Sequence, residues 1–197
     1  GGAQAIAALA LGSRFNTAVD MIVGPGNAYV AEAKQQLQHR VRIDTLAGPS
    51  ELLILSDGST PLEWLLNDCR AQAEHDPQAL SVWVSRSDAE LQNAWTALQA
   101  NARDRDLLAR GQIQLVHAAN PDEAVALANR MAPEHLELCD GGISAQALQH
   151  FGALFVGAQS PVALGDYLSG PNHTLPTLGA ARYTGGQGFV PHEPSTH

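Results

Sequence analysis

The residues best suited to chemistry fall in a few short stretches of this chain. Gln72 and His75 stand three apart in Gln72-Ala73-Glu74-His75. Residues three apart in a helix share a face, so an amide oxygen and an imidazole are aimed together beyond the helix end. Asp166, in Gly165-Asp166-Tyr167, adds a carboxylate. Two oxygen donors and one nitrogen donor suit Zn²⁺ or Mn²⁺, with positions left open for a substrate. Gln is an uncommon zinc ligand, however, and no HExxH or CxxC stands beside it. Glu134 and His135 are adjacent, on a corner between a helix and a strand. Their side chains are expected to point different ways and to serve two proton transfers. The plain alternative is a surface Glu next to a partly buried His. Ser50, in Ala47-Gly48-Pro49-Ser50, is placed to donate into a site at a strand entry, or is only turn chemistry.

These groups need elements to hold them. Thr60-Pro61-Leu62-Glu63 reads as a helix start, with Thr60 as cap and Glu63 completing a capping box. Asp76-Pro77 is the stop, because the residue before a proline is pushed out of the helical region. Gln72 and His75 therefore lie in the last turn. Ala3 to Leu11 is a short helix closed by Gly12. Val19 to Val23 reads as a buried strand running into Gly24-Pro25-Gly26-Asn27, and a helix follows over Ala28 to Leu37. Strand, Gly-rich turn and helix form the context of an anion site. A third glycine of the dinucleotide fingerprint would fall where Tyr29 stands, so a tight turn and a nucleotide site both remain open.

Further strands are expected at Glu51 to Leu55, Ser81 to Ser85, Gln112 to Val116, Leu136 to Cys139 and Ala153 to Val156. Ser87 opens a helix expected to run to Leu108, with Leu91, Trp95, Leu98 and Ala102 as its core stripe. Pro121 to Arg130 is a helix with Asp122 and Glu123 in its first turn, and Ile143 to His150 a short one. Gly157 to Thr177 is a long loop that holds Asp166 and His173, and loops of that length are seldom idle. Strands alternating with helices imply parallel βαβ units and an α/β fold of doubly wound type. Ligands of such sheets bind at the carboxyl ends of the strands. Glu134 and His135 lie at the opposite end.

The bulk numbers bound the rest. The chain has 197 residues, 45% of them hydrophobic, a formal net charge of −9 and a pI near 5.2. Lys is nearly absent. An acidic chain is a poor match for nucleic acid or an anionic membrane surface. Cys69 and Cys139 fit reduced cytosolic thiols, hence a cytoplasmic protein, and no signal peptide or membrane-spanning run is visible. The chain opens at Gly1-Gly2 as if cut from a longer protein.

From Gly1 to about Gly186 the sequence resembles the histidinol dehydrogenases. The resemblance is carried by Gly1-Gly2-Ala3-Gln4-Ala5, Gly24-Pro25-Gly26-Asn27-Ala28, Ala47-Gly48-Pro49-Ser50-Glu51, Gln72-Ala73-Glu74-His75 and Pro133-Glu134-His135-Leu136. Gly165-Asp166-Tyr167, Ser169-Gly170 and Asn172-His173 complete it. It implies an enzyme of histidine biosynthesis that uses zinc and NAD⁺ and oxidises L-histidinol through the aldehyde to L-histidine. By resemblance, Gln72, His75 and Asp166 are metal ligands that also place the substrate, one zinc per subunit. Ser50, His135 and His173 are substrate contacts, and Gln4 and Asn27 NAD contacts. His135 is the general base and Glu134 activates water for the aldehyde step.

The resemblance also implies incomplete Rossmann-like doubly wound parallel sheets in αβα layers, in two similar domains each partly present. Residues 1–51 are expected to be the rear half of an NAD-binding domain and 52–186 the rear half of the metal and catalytic domain. Residues 187–197 depart from the family and are expected to be a disordered tail. The family's own tail supplies remaining site residues to a homodimer partner, so this chain alone is expected to be inactive. Two rival readings stand beside this one: a zinc-dependent hydrolase using Glu134, and a non-catalytic α/β binding module.

Overall fold

A computed structural model describes residues 1–24, 26–44, 48–166 and 175–183, with Asp166 described by its backbone alone. His173 and the expected tail 187–197 lie outside the described residues.

The first 44 residues build α1 (Gly2–Leu11), β1 (Met21–Ile22), α2 (Ala28–Leu37) and β2 (Arg42–Ile43), with β1 and β2 paired in parallel. Ile6, Ala10, Ile22 and Val41 form a small core of their own. Asn27 caps α2, its side chain accepting from the Val30 amide at 3.2 Å. Lys34, the only lysine of the sequence, is buried. Its Nζ donates to Asp44 Oδ1 at 2.7 Å and to the Gly24 carbonyl at 2.5 Å, while the Gly24 amide donates to Asp44 Oδ2 at 2.7 Å. Gly24 has φ +139°, in the region that favours glycine. The turn before α2 is thus pinned by an ion pair shielded from water.

The rest is a five-stranded, all-parallel sheet in the order β5-β4-β3-β6-β7. Its strands are β3 (Glu51–Ser56), β4 (Leu80–Ser85), β5 (Ile113–His117), β6 (His135–Cys139) and β7 (Ala153–Val156). The helices are α3 (Leu62–His75), α4 (Asp88–Ala100), α5 (Ala102–Ala109) and α6 (Pro121–Met131). A strand buried on both faces reads as a continuous apolar run. In β3, accordingly, Leu52 and Ile54 join Leu65, Leu66, Cys69, Ala94, Leu98 and Leu107 on one side. Leu53 and Leu55 join Ala124, Ala128, Leu136 and Leu138 on the other. Helices on both faces make the expected αβα layering.

Local details depart from the sequence reading. α3 has Pro61 at its N-cap without a side-chain hydrogen bond, so the Thr60 capping box does not form; Thr60 is buried instead. The helix expected to reach Leu108 breaks at Asn101, whose extended backbone (ψ 132°) ends α4 while its side chain caps α5 through the Arg103 amide. The buried stripe of α4 is Glu90, Ala94 and Leu98, and Trp95 is exposed. Spacing of four along one face fixes that stripe, and Trp95 falls one position off it. Ser87 caps α4, and Glu90 turns inward to accept from Ser56 at 2.6 Å and from Ser85 at 2.5 Å. Over 143–150 only a single 3₁₀ turn forms, Ala145–Ala147.

Candidate active site

In a sheet of this order the chain reverses direction between β3 and β6, and the carboxyl-end crevice there is the usual ligand position. Here it carries a cluster of paired charges. Arg86 bridges to Asp140 at 2.5 and 2.7 Å, and Asp57 stands 3.9 Å from the same guanidinium while accepting from the Gly141 amide. A polar concavity lies at the amino ends of the same two strands.

Ser50 immediately precedes β3 and Glu134 immediately precedes β6. The register Leu52↔His135 sets them side by side. On β6, Leu136 and Leu138 point into the α6 layer. Alternation along a strand then turns His135, Glu137 and Cys139 toward α3. α3 offers Asp68, Gln72 and His75, at spacings of four and three, on the face that meets them. The result is a cavity of about 160 Å³ lined by Ser50, Asp68, Gln72, His75, Glu134 and His135, with Ala71, Val162 and Ala163 completing its wall.

Hydrogen bonds tie three of these groups into one chain. Gln72 Nε2 donates to Ser50 Oγ at 2.7 Å, and Ser50 Oγ donates to Glu134 Oε2 at 2.6 Å. Glu134 Oε2 also accepts the Glu51 amide at 3.1 Å. His135 Nδ1 lies 3.6 Å from the same carboxylate oxygen. That is too long for a good hydrogen bond. The expectation that Glu134 and His135 point different ways is therefore corrected: both line one cavity, because the irregular backbone before β6 lets adjacent residues converge. Ala132, in the left-handed region (φ 51°), turns the chain out of α6 just ahead of them. Gly152 lets the neighbouring segment approach, since a Cβ there would come within 2.5 Å of the Glu134 carbonyl oxygen.

Asp68 is a lining residue that motif reading passed over. Its signal was its place four residues before Gln72 on the same face. Burial pushes its carboxyl up to about 6. Behind it Glu137 is 1% exposed; its Oε2 has no hydrogen-bond partner among the described residues and its Oε1 accepts from Cys139 Sγ at 3.3 Å. Burial first, and then the nearby Asp68 charge, push Glu137 up to about 7. A carboxyl raised above its unfolded value holds its proton more tightly in the folded chain. Its contribution is full below about pH 4.5 and is lost as pH rises toward 7. Glu137→Gln is thus expected to match wild type near pH 4.5 and to be more stable at pH 8, by up to about 3 kcal/mol. Urea unfolding at the two pH values checks this; an equal difference at both would contradict it.

The remaining expected site residues separate into two groups. Asp166 ends a 3₁₀ turn, Val162–Asp166, that packs against α3 and lends Val162 and Ala163 to the cavity wall. Gln4, exposed on α1, and Asn27, the cap of α2, line no part of the cavity; both belong to the small N-terminal unit. Among the described residues no three His, Cys, Asp or Glu side chains are grouped to hold a metal ion. Gln72 falls outside that residue set and the Asp166 side chain outside the description. The donors present fit a borderline cation. No described residue donates to Gln72 Oε1, and among the described residues exposed His75, one turn further along, has no hydrogen-bond partner.

A family model described as histidinol dehydrogenase matches residues 1–190, past the point at Gly186 where the sequence resemblance was expected to stop. The Histidinol dehydrogenase of Acinetobacter baylyi is 44% identical over 192 residues, covering 93% of this chain and 45% of the relative. That of Aromatoleum aromaticum is 48% identical over 193 residues, covering 93% and 44%. The crystal structure of histidinol dehydrogenase from Elizabethkingia anophelis superposes with a TM-score of 0.84 at 34% identity, over 95% of this chain and 45% of that one. The chain spans less than half the length of these relatives.

Proposed function

The chain belongs to the histidinol dehydrogenase family, and we propose that it carries the metal- and substrate-facing part of an NAD-linked enzyme that oxidises L-histidinol through the aldehyde to L-histidine. The observation that supports this reading is the single cavity into which Ser50, Gln72, His75, Glu134 and His135 converge from three separated segments.

Gln72, His75 and Asp166 would hold one Zn²⁺, which supplies positive charge to anchor and orient the substrate's nitrogen donors. His135 takes the proton of the substrate hydroxyl as the alcohol carbon is oxidised, for which bound NAD⁺ would supply the hydride acceptor. For the second oxidation Glu134 takes a proton from the water that adds to the aldehyde carbonyl, and a second NAD⁺ would supply the acceptor for the hydride. Ser50 and the Glu51 amide hold the Glu134 carboxylate in place for that step. His173 is proposed as a further substrate contact, and Gln4 and Asn27 as contacts to NAD.

On this reading residues 1–51 are the rear half of the NAD-binding domain, a division supported by their separate sheet and core. Residues 52–186 are the rear half of the metal and catalytic domain, and 187–197 a tail outside both. The enzyme acts as a cytoplasmic homodimer whose partner completes the site, so this chain alone is expected to turn over no histidinol. Two buried free thiols support the compartment.

Metal analysis by mass spectrometry tests the ligand set in a full-length protein carrying this sequence. One zinc per chain is expected, lost in Asp166→Ala. Unchanged zinc in that variant would favour the binding-module reading, and turnover without NAD⁺ would favour a hydrolase.

A further inference from the structure

We propose that Ser50 is a positioning residue: it locks the Gln72 amide and the Glu134 carboxylate to each other, so that Gln72 presents its oxygen to the cavity. The inference rests on the functional reading above, because it concerns the atom through which Gln72 would meet the cation.

A serine hydroxyl has one proton to give. On one side of Ser50 Oγ stands Glu134 Oε2 at 2.6 Å, which already accepts the Glu51 amide at 3.1 Å. An ionised carboxylate only accepts, so the hydroxyl proton is committed there. On the other side stands the Gln72 amide at 2.7 Å. With its proton spent, Ser50 Oγ can only accept, and only Nε2 of Gln72 can donate. Distances alone do not distinguish the two ends of an amide; the order of donors and acceptors does. Oε1 is then the end of Gln72 left for the cavity, in a side chain 4% exposed that has little room to turn. The Ser50 backbone is itself held, its carbonyl accepting the Leu80 amide at 3.0 Å. The same logic accounts for an amide where a carboxylate is the commoner metal ligand: Glu at position 72 would face an oxygen with no proton to offer.

The consequence is that Ser50 acts on the cation through Gln72. Zinc affinity is measured by competition with a chromophoric chelator, in a full-length protein carrying this sequence, for wild type, Ser50→Ala, Gln72→Ala and the double variant. Ser50→Ala is expected to weaken zinc binding about 10- to 100-fold, the usual cost of losing the partner of a ligand. In the Gln72→Ala background the same substitution is expected to cost nothing further. Gln72→Glu, which changes one atom, is expected to bind zinc no more tightly than wild type. An undiminished loss in the Gln72→Ala background, no loss from Ser50→Ala, or tighter binding by Gln72→Glu would each overturn the inference. A wild-type protein that binds no zinc would fail the functional reading itself, a separate result.

Discussion

Glu134→Gln is expected to leave the first oxidation running and to stop the second, in a full-length protein carrying this sequence. The glutamine carbonyl keeps both contacts that hold the wild-type carboxylate, from Ser50 Oγ and the Glu51 amide. What it loses is the ability to take a proton from water. Loss of a positioned base costs about 10²- to 10⁴-fold, so histidine formation should fall by that factor while alcohol oxidation continues. Coupled NADH and aldehyde assays separate the steps. Wild type should yield two NADH per histidinol; the variant should yield close to one, with aldehyde accumulating. Equal loss of both oxidations would place Glu134 in the alcohol step as well and undo the division of labour with His135.

Lys34→Met is expected to produce the largest loss of stability. It leaves the Asp44 carboxylate buried without that cation and removes a donor from the Gly24 carbonyl. Breaking a buried pair from one side costs about 3–5 kcal/mol. Much of that cost should fall on the N-terminal unit, whose core is only a few apolar residues. Urea denaturation is the measurement. A change below about 1 kcal/mol, the range of solvent-exposed pairs, would mean that the pair is hydrated and does not pin the Gly24 turn.

Much of this molecule is readable from its residues because parallel strands buried on both faces leave long apolar runs, and Glu51–Ser56 is the clearest of them. The stop at Asp76-Pro77 likewise places Gln72 and His75 in the last turn of α3, as proline sterics require. The errors have physical causes. Nothing in the composition around Asn101 announces a break, since Asn is as much a helix cap as a weak helix former; its side chain chose the cap. Thr60 is a good cap by type, but burial overrode it. In the site, the shared face of Gln72 and His75 was legible from their spacing, while the hydrogen bonds between distant residues were not. Asp68 was hidden because its chemistry depends on desolvation, which only packing creates. The link from Gln72 through Ser50 to Glu134 joins residues 22 and 84 positions apart, and no local pattern records it.

The most direct measurement is NADH absorbance when histidinol and NAD⁺ are added to a full-length protein carrying this sequence, wild type beside His135→Ala. Wild type should form two NADH for each histidine produced, and His135→Ala should be slower by about 10²- to 10⁴-fold while keeping its zinc. No histidinol-dependent NADH from the wild type, or a His135→Ala protein as fast as wild type, would contradict the assignment of this cavity as the site of oxidation.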